Sequence, residues 1–112
     1  MRRSRRLPQA VREALDELKK AFVAIYGDRL RGIYLYGSYA RGDFSDASDV
    51  DLLVTLSGEV NPYREISRAS EIVSDISLRY DLLIATYPVP VDWLWERRSP
   101  LFENVRREGV LV

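Results

Sequence analysis

Ile33-Tyr34-Leu35-Tyr36-Gly37-Ser38-Tyr39-Ala40-Arg41-Gly42-Asp43-Phe44-Ser45-Asp46-Ala47-Ser48-Asp49-Val50-Asp51-Leu52-Leu53-Val54-Thr55-Leu56 sets two apolar runs around a polar turn. The first run, β-branched and aromatic, predicts a buried strand that stops at Gly37, where the backbone can turn sharply and approach a ligand closely. Ser38 opens a short segment able to start a helix, so free N–H groups and a hydroxyl would face one anion, and a phosphate fits there. Gly42 would close that turn as a left-handed cap.

The second run begins with charge. A strand over 49–56 has a period of two, which sends Asp49 and Asp51 to one face and Val50, Leu52 and Val54 to the other. Two carboxylates about 7 Å apart along one strand repel once partly desolvated, unless a cation sits between them. Hard oxygen ligands of this kind suit Mg²⁺ or Mn²⁺. The combination points to metal-dependent chemistry on a nucleotide phosphate.

Leu78-Arg79-Tyr80-Asp81-Leu82-Leu83-Ile84-Ala85 is the next apolar run, and it predicts a third strand over about 79–86 with Asp81 near its start. If that strand is a parallel neighbour of the second, about 4.8 Å away, Asp81 would lie across from the acid pair and the three could hold two metal ions. Ser38 at the end of strand one and Asp49 at the start of strand two share a sheet edge only if those strands run antiparallel. Strand three must then run parallel to strand two through a helical right-handed crossover, giving a mixed α/β (α+β) sheet with helices packed on it.

The pattern of Gly37-Ser38, a ten-residue spacer, Asp49-Val50-Asp51 and the downstream Asp81 resembles the minimal nucleotidyltransferases of the DNA polymerase β superfamily. The resemblance implies the nucleotidyltransferase (polymerase β-like) fold, with Gly37 and Ser38 binding a triphosphate and Asp49 and Asp51 coordinating two Mg²⁺ (or Mn²⁺). It implies that Asp81 shares the metal and helps deprotonate the acceptor hydroxyl, with Arg41 near the phosphates. The substrate it implies is ATP and the acceptor a hydroxyl outside the chain, since the second, helical domain of larger members does not fit in 112 residues. Members of this size are often antitoxins that transfer AMP to a tyrosine of a helical HEPN-type toxin, so a HEPN-type partner is also implied.

Composition bounds the rest. Residues 1–112 read as a single domain, 46% hydrophobic and 30% charged, in which 17 basic residues balance 17 acidic ones. A nucleic-acid binder would be more basic. No apolar run reaches the roughly 18 residues of a membrane span, and the N-terminus lacks the core of a signal peptide, so the cytoplasm is expected. With neither Cys nor His, catalysis would rest on carboxylates, hydroxyls, Lys or Arg and metal.

Outward from the central stretch, Val11, Leu15, Leu18, Phe22 and Ile25 predict an amphipathic helix that starts near Pro8 and ends at Gly27. Asn61-Pro62 opens a second, with Ile66, Ala69, Val73 and Ile76 on one face. Short helices are expected at 92–96 and 100–108, with Gly109 as a cap before the apolar end Val110-Leu111-Val112. Arg2, Arg3, Arg5 and Arg6 read as a flexible, solvated basic arm over 1–6. Trp93 and Trp95, two residues apart, cannot both face one core, so one is expected at the surface.

Each functional reading has a plainer rival. Gly37-Ser38 could be an ordinary strand-to-helix turn, Asp49 a capping acid, Asp81 a partner of Arg79, and Arg41 a local counter-charge. The whole domain could be a non-catalytic nucleotide-binding module that neutralises a partner by occlusion, and a homo-oligomer is left open.

Overall fold

In the computed structural model, which describes residues 7–112 and the backbone of residues 2–3, four helices of the sequence reading and its three strands are present, with shifted boundaries. The order is β1 (Arg2–Arg3), α1 (Gln9–Tyr26), a 3₁₀ turn (Gly27–Arg29), β2 (Leu30–Tyr36), α2 (Ser38–Arg41) and β3 (Val50–Leu56). There follow α3 (Pro62–Tyr80), β4 (Ile84–Pro90), α4 (Val91–Glu96), α5 (Pro100–Glu108) and β5 (Val110–Leu111).

The sheet is mixed, in the order β1-β5-β2-β3-β4. β2 and β3 are antiparallel, as the placement of Ser38 and Asp49 requires, and β3 and β4 are parallel as expected, although Asp81, from which that expectation was drawn, lies outside β4. The apolar end at Val110-Leu111 is itself a strand, antiparallel to β2. Of the basic arm expected at 1–6, Arg2–Arg3 instead pairs in parallel with β5 as an edge strand, and the rest of the arm lies outside the described residues.

The period of two divides the sheet into two cores. Ile33, Leu35, Val50, Leu52 and Val54 face α1 and α3, meeting Leu18 and Phe22 of the first and Ala69 and Ile76 of the second. Tyr34, Leu53 and Val89 face the other way, under Leu94 of α4 and Phe102 and Val105 of α5. Leu18, Leu52 and Phe22 are almost fully buried, each side chain contributing about 1.5–3 kcal/mol through removal from water. Trp93 packs edge-on to Phe102 while Trp95 is 54% exposed, the division expected of two residues at that spacing. Among the described residues, no helix is long and apolar enough to cross a membrane.

The third strand starts at Ile84, not at 79, because α3 runs on through Leu78, Arg79 and Tyr80. Tyr80 and Arg79 continue the helical spacing and reach across to α1. Arg79 Nη2 donates to Glu17 Oε1 at 2.7 Å and its Nε to Asp75 Oδ2 at 3.2 Å, while the Tyr80 hydroxyl donates to Glu17 Oε2. These bonds hold the Glu17 carboxyl below its ordinary pKa, Arg79 contributing most and Tyr80 next. The stabilisation is therefore present above the ordinary value of 4.5 and fades as pH falls through the lower folded value. Glu17→Gln is expected to lower the urea midpoint at pH 7, with the gap to wild type closing below about pH 4.5; a gap that persists at pH 3 would assign Glu17 a packing role instead.

Candidate functional site

Gly37 joins the two halves of the site. β2 ends at Tyr36, and Gly37 takes φ 78° and ψ −154°, a region that only glycine occupies without strain. A Cβ built there would lie 2.6 Å from Asp51 Oδ2, so the carboxylate fills the space that a side chain would take. The turn and the acid strand touch through an absent side chain.

The turn beyond it is built as expected. The N–H groups of Ala40 and Arg41 both donate to the Gly37 carbonyl at 3.1 Å, and Gly42 (φ 90°) closes α2 by donating to the Ser38 carbonyl at 2.9 Å. Tyr39 is buried and stacks on Phe44 with ring centroids 4.5 Å apart, which fixes the short helix against the core. Ser38 and Tyr39 stand at its head, where N–H groups have no carbonyl one turn earlier to bond.

Strand register places the acids. Tyr36 pairs with Asp51 across β2 and β3, and Asp51 with Ala85 across β3 and β4. Paired residues share a face, so Tyr36, Asp51 and Ala85 form one row, with Asp49 just before β3 and Val50 and Leu52 buried on the opposite face. Burial pushes the Asp51 carboxyl above its ordinary pKa, the Asp49 charge pushes it the same way, and only the Arg41 charge opposes them. Burial and then Asp51 likewise raise the Tyr36 hydroxyl. A partly buried carboxylate beside a second one, both hard oxygen donors, fits one divalent cation of the Mg²⁺ or Mn²⁺ type.

The other two site residues expected from sequence stand differently. Arg41 ion-pairs with Asp43 Oδ2 at 3.2 Å and Glu108 Oε1 at 3.4 Å, so a phosphate contact would have to compete with both. Asp81 is not in a strand and not across from the acid pair. It caps α3 in the left-handed conformation at φ 53°, which a short polar side chain tolerates, and three residues later β4 begins. Among the described residues, no three acids stand close enough to hold a metal ion. Gly37, Ser38, Asp49 and Asp51 are thus brought together, Arg41 lies at their margin, and Asp81 is apart.

Two features went unread in the sequence. The Tyr36 side of the row follows from register alone and was readable once β2 and β3 were paired. Glu108, 67 residues from Arg41, left no local signal.

The family model described as "Nucleotidyltransferase domain" matches residues 11–104. "Putative protein adenylyltransferase MJ0141" of Methanocaldococcus jannaschii is 35% identical over 89% of this chain and 96% of its own length. "Putative protein adenylyltransferase MJ0604" of the same organism is 32% identical over 87% and 92%. A crystal structure of a toxin–antitoxin with AMP-PNP superposes with a TM-score of 0.59 at 21% identity, over 88% of this chain and 69% of that one. A solved complex of the tri-AMPylated Shewanella oneidensis HEPN toxin with its MNT antitoxin gives 0.51 at 18%, over 88% and 70%. These last two show a shared fold.

Proposed function

The chain belongs to the nucleotidyltransferase domain family, and from that premise we propose that it transfers AMP from ATP to a hydroxyl on a partner protein. The observation that supports this reading is the approach of Asp51 to Gly37, which leaves the turn proposed for the phosphates and the acid pair proposed for Mg²⁺ one side chain's width apart.

In this proposal Gly37 and Ser38 hold the β- and γ-phosphates against the head of α2, and Asp49 and Asp51 hold Mg²⁺. The ion, when bound, supplies positive charge where negative charge grows on the phosphate oxygens. The acceptor oxygen bonds to the α-phosphorus and passes its proton to solvent water, the bond from the α-phosphorus to the bridging oxygen breaks, and pyrophosphate leaves. By holding the ion, Asp49 and Asp51 would fix the α-phosphate side of the triphosphate, and the Gly37 turn would fix the leaving side, so the chain's contribution is alignment. Its own hydroxyls are not needed as acceptors. The names of the M. jannaschii relatives support a protein acceptor, and the likeness to toxin–antitoxin chains makes a HEPN-type toxin the partner we propose.

The test is label transfer in a lysate of the source cell, with Mg²⁺ and ATP labelled at the α or, separately, the γ position. Label from the α position alone, appearing on a protein and absent with Asp49→Asn, is the expected result. A second reading, a partner-binding module without catalysis, draws on the pairing of Arg41 with Asp43 and Glu108. It predicts no transfer from either position and a complex that survives loss of Asp49 and Asp51.

A further inference from the structure

β3 and β4 are locked in register from Val50 paired with Ile84 to Leu56 paired with Pro90, and the Val50 N–H donates to the Leu83 carbonyl at 2.8 Å. The residues beside the two acids on this side are therefore Leu83, just before β4, and Ala85 on it, and neither side chain carries a donor atom for a cation. A second ion 3.5–4 Å from the first needs a carboxylate facing the pair from the neighbouring strand, about 4.8 Å away, and that position is Ala85.

Asp81 cannot take its place by a small shift. Its N–H donates to the Leu78 carbonyl at 3.4 Å and that of Leu82 to the Ser77 carbonyl at 2.9 Å, which fastens the cap to the last turn of α3. Moving Asp81 to the place of Ala85 would slide β4 by four residues, take Ile84 out of the core and unwind that cap. No other acid is available. Among the described residues none joins Asp49 and Asp51 in a metal-holding group of three, and the residues outside them (Met1, Ser4, Arg5 and Arg6) include no carboxylate.

We propose that this chain holds a single divalent ion per bound nucleotide, through Asp49 and Asp51 alone, and that Ala85 occupies the position from which a third carboxylate would complete a second ion site. The proposal rests on the transfer reading above and deepens it.

The experiment counts Mn²⁺ bound to the full chain in the presence of a non-hydrolysable ATP analogue, by the free-Mn²⁺ electron paramagnetic resonance signal, after subtraction of the analogue alone. The expected result is one ion for wild type, one for Asp81→Asn and two for Ala85→Asp, whose exposed position lets it fold; thermal melting verifies that it has. Two ions on wild type would overturn the inference while leaving the transfer reading in place, and loss of one of them in Asp81→Asn would show where the error lay. A folded Ala85→Asp that still binds one ion would overturn the assignment of that position. Absence of both Mn²⁺ and analogue from wild type would overturn the transfer reading together with this one.

Discussion

Asp51→Asn is expected to lower nucleotidyl transfer by about 100-fold or more while leaving the melting temperature unchanged or slightly raised. The two halves of this result have one cause. Burial and the Asp49 charge raise the Asp51 carboxyl above its ordinary pKa, so its ionised form costs stability at neutral pH in the ion-free chain. Asparagine keeps the shape and removes that cost along with the ligand. The sign can be followed by titration: as pH falls through the raised value, wild type takes up a proton and gains stability, and the variant does not. Millimolar Mg²⁺ with nucleotide should likewise raise the melting temperature of wild type and not that of the variant. Full transfer activity in Asp51→Asn would remove the acid pair from the chemistry.

Gly37→Ala should cost both stability and function. At φ 78° and ψ −154° the backbone alone is strained by roughly 1–3 kcal/mol for a residue with a Cβ. At about 4–8 °C per kcal/mol for a domain near this size, the melting temperature should fall by on the order of 10 °C. The added methyl would also meet Asp51 Oδ2 at 2.6 Å, forcing the carboxylate out of the place where it faces Asp49. Differential scanning calorimetry separates the two effects, because adding Asp51→Ala to Gly37→Ala should recover the part due to the collision and leave the part due to the backbone. No recovery would mean that strain alone explains the loss.

The central stretch was legible because its signals are local. Gly37 and Gly42 mark the turn, alternation marks β3, and the positions of Ser38 and Asp49 relative to their strands dictate an antiparallel pair. The last turn of α3 was misread for a physical reason. Leu78, Leu82 and Leu83 look like a buried strand, yet Leu78 and Leu83 are 79% and 63% exposed, and the helix is prolonged by bonds from Arg79 and Tyr80 to Glu17, a residue more than sixty positions away. Moving the strand start from 79 to Ile84 then takes Asp81 out of the sheet and leaves Ala85 beside Asp51. The misplacement of Asp81 was thus inherited from the boundary of the strand. The pairing of Val110-Leu111 with β2 was invisible for a similar reason, since two residues are too short a run to show any period.

β4 lies at the outer edge of the sheet, and it carries Pro88 and Pro90 at alternate positions. Edge prolines sit where the missing N–H would have pointed outward, so the outward donors that remain are those of the strand's first half, at Ile84 and Thr86. A foreign strand seeking to extend the sheet would find a ladder that stops halfway, which protects the exposed edge from self-association and fibril growth without spending any charge on it.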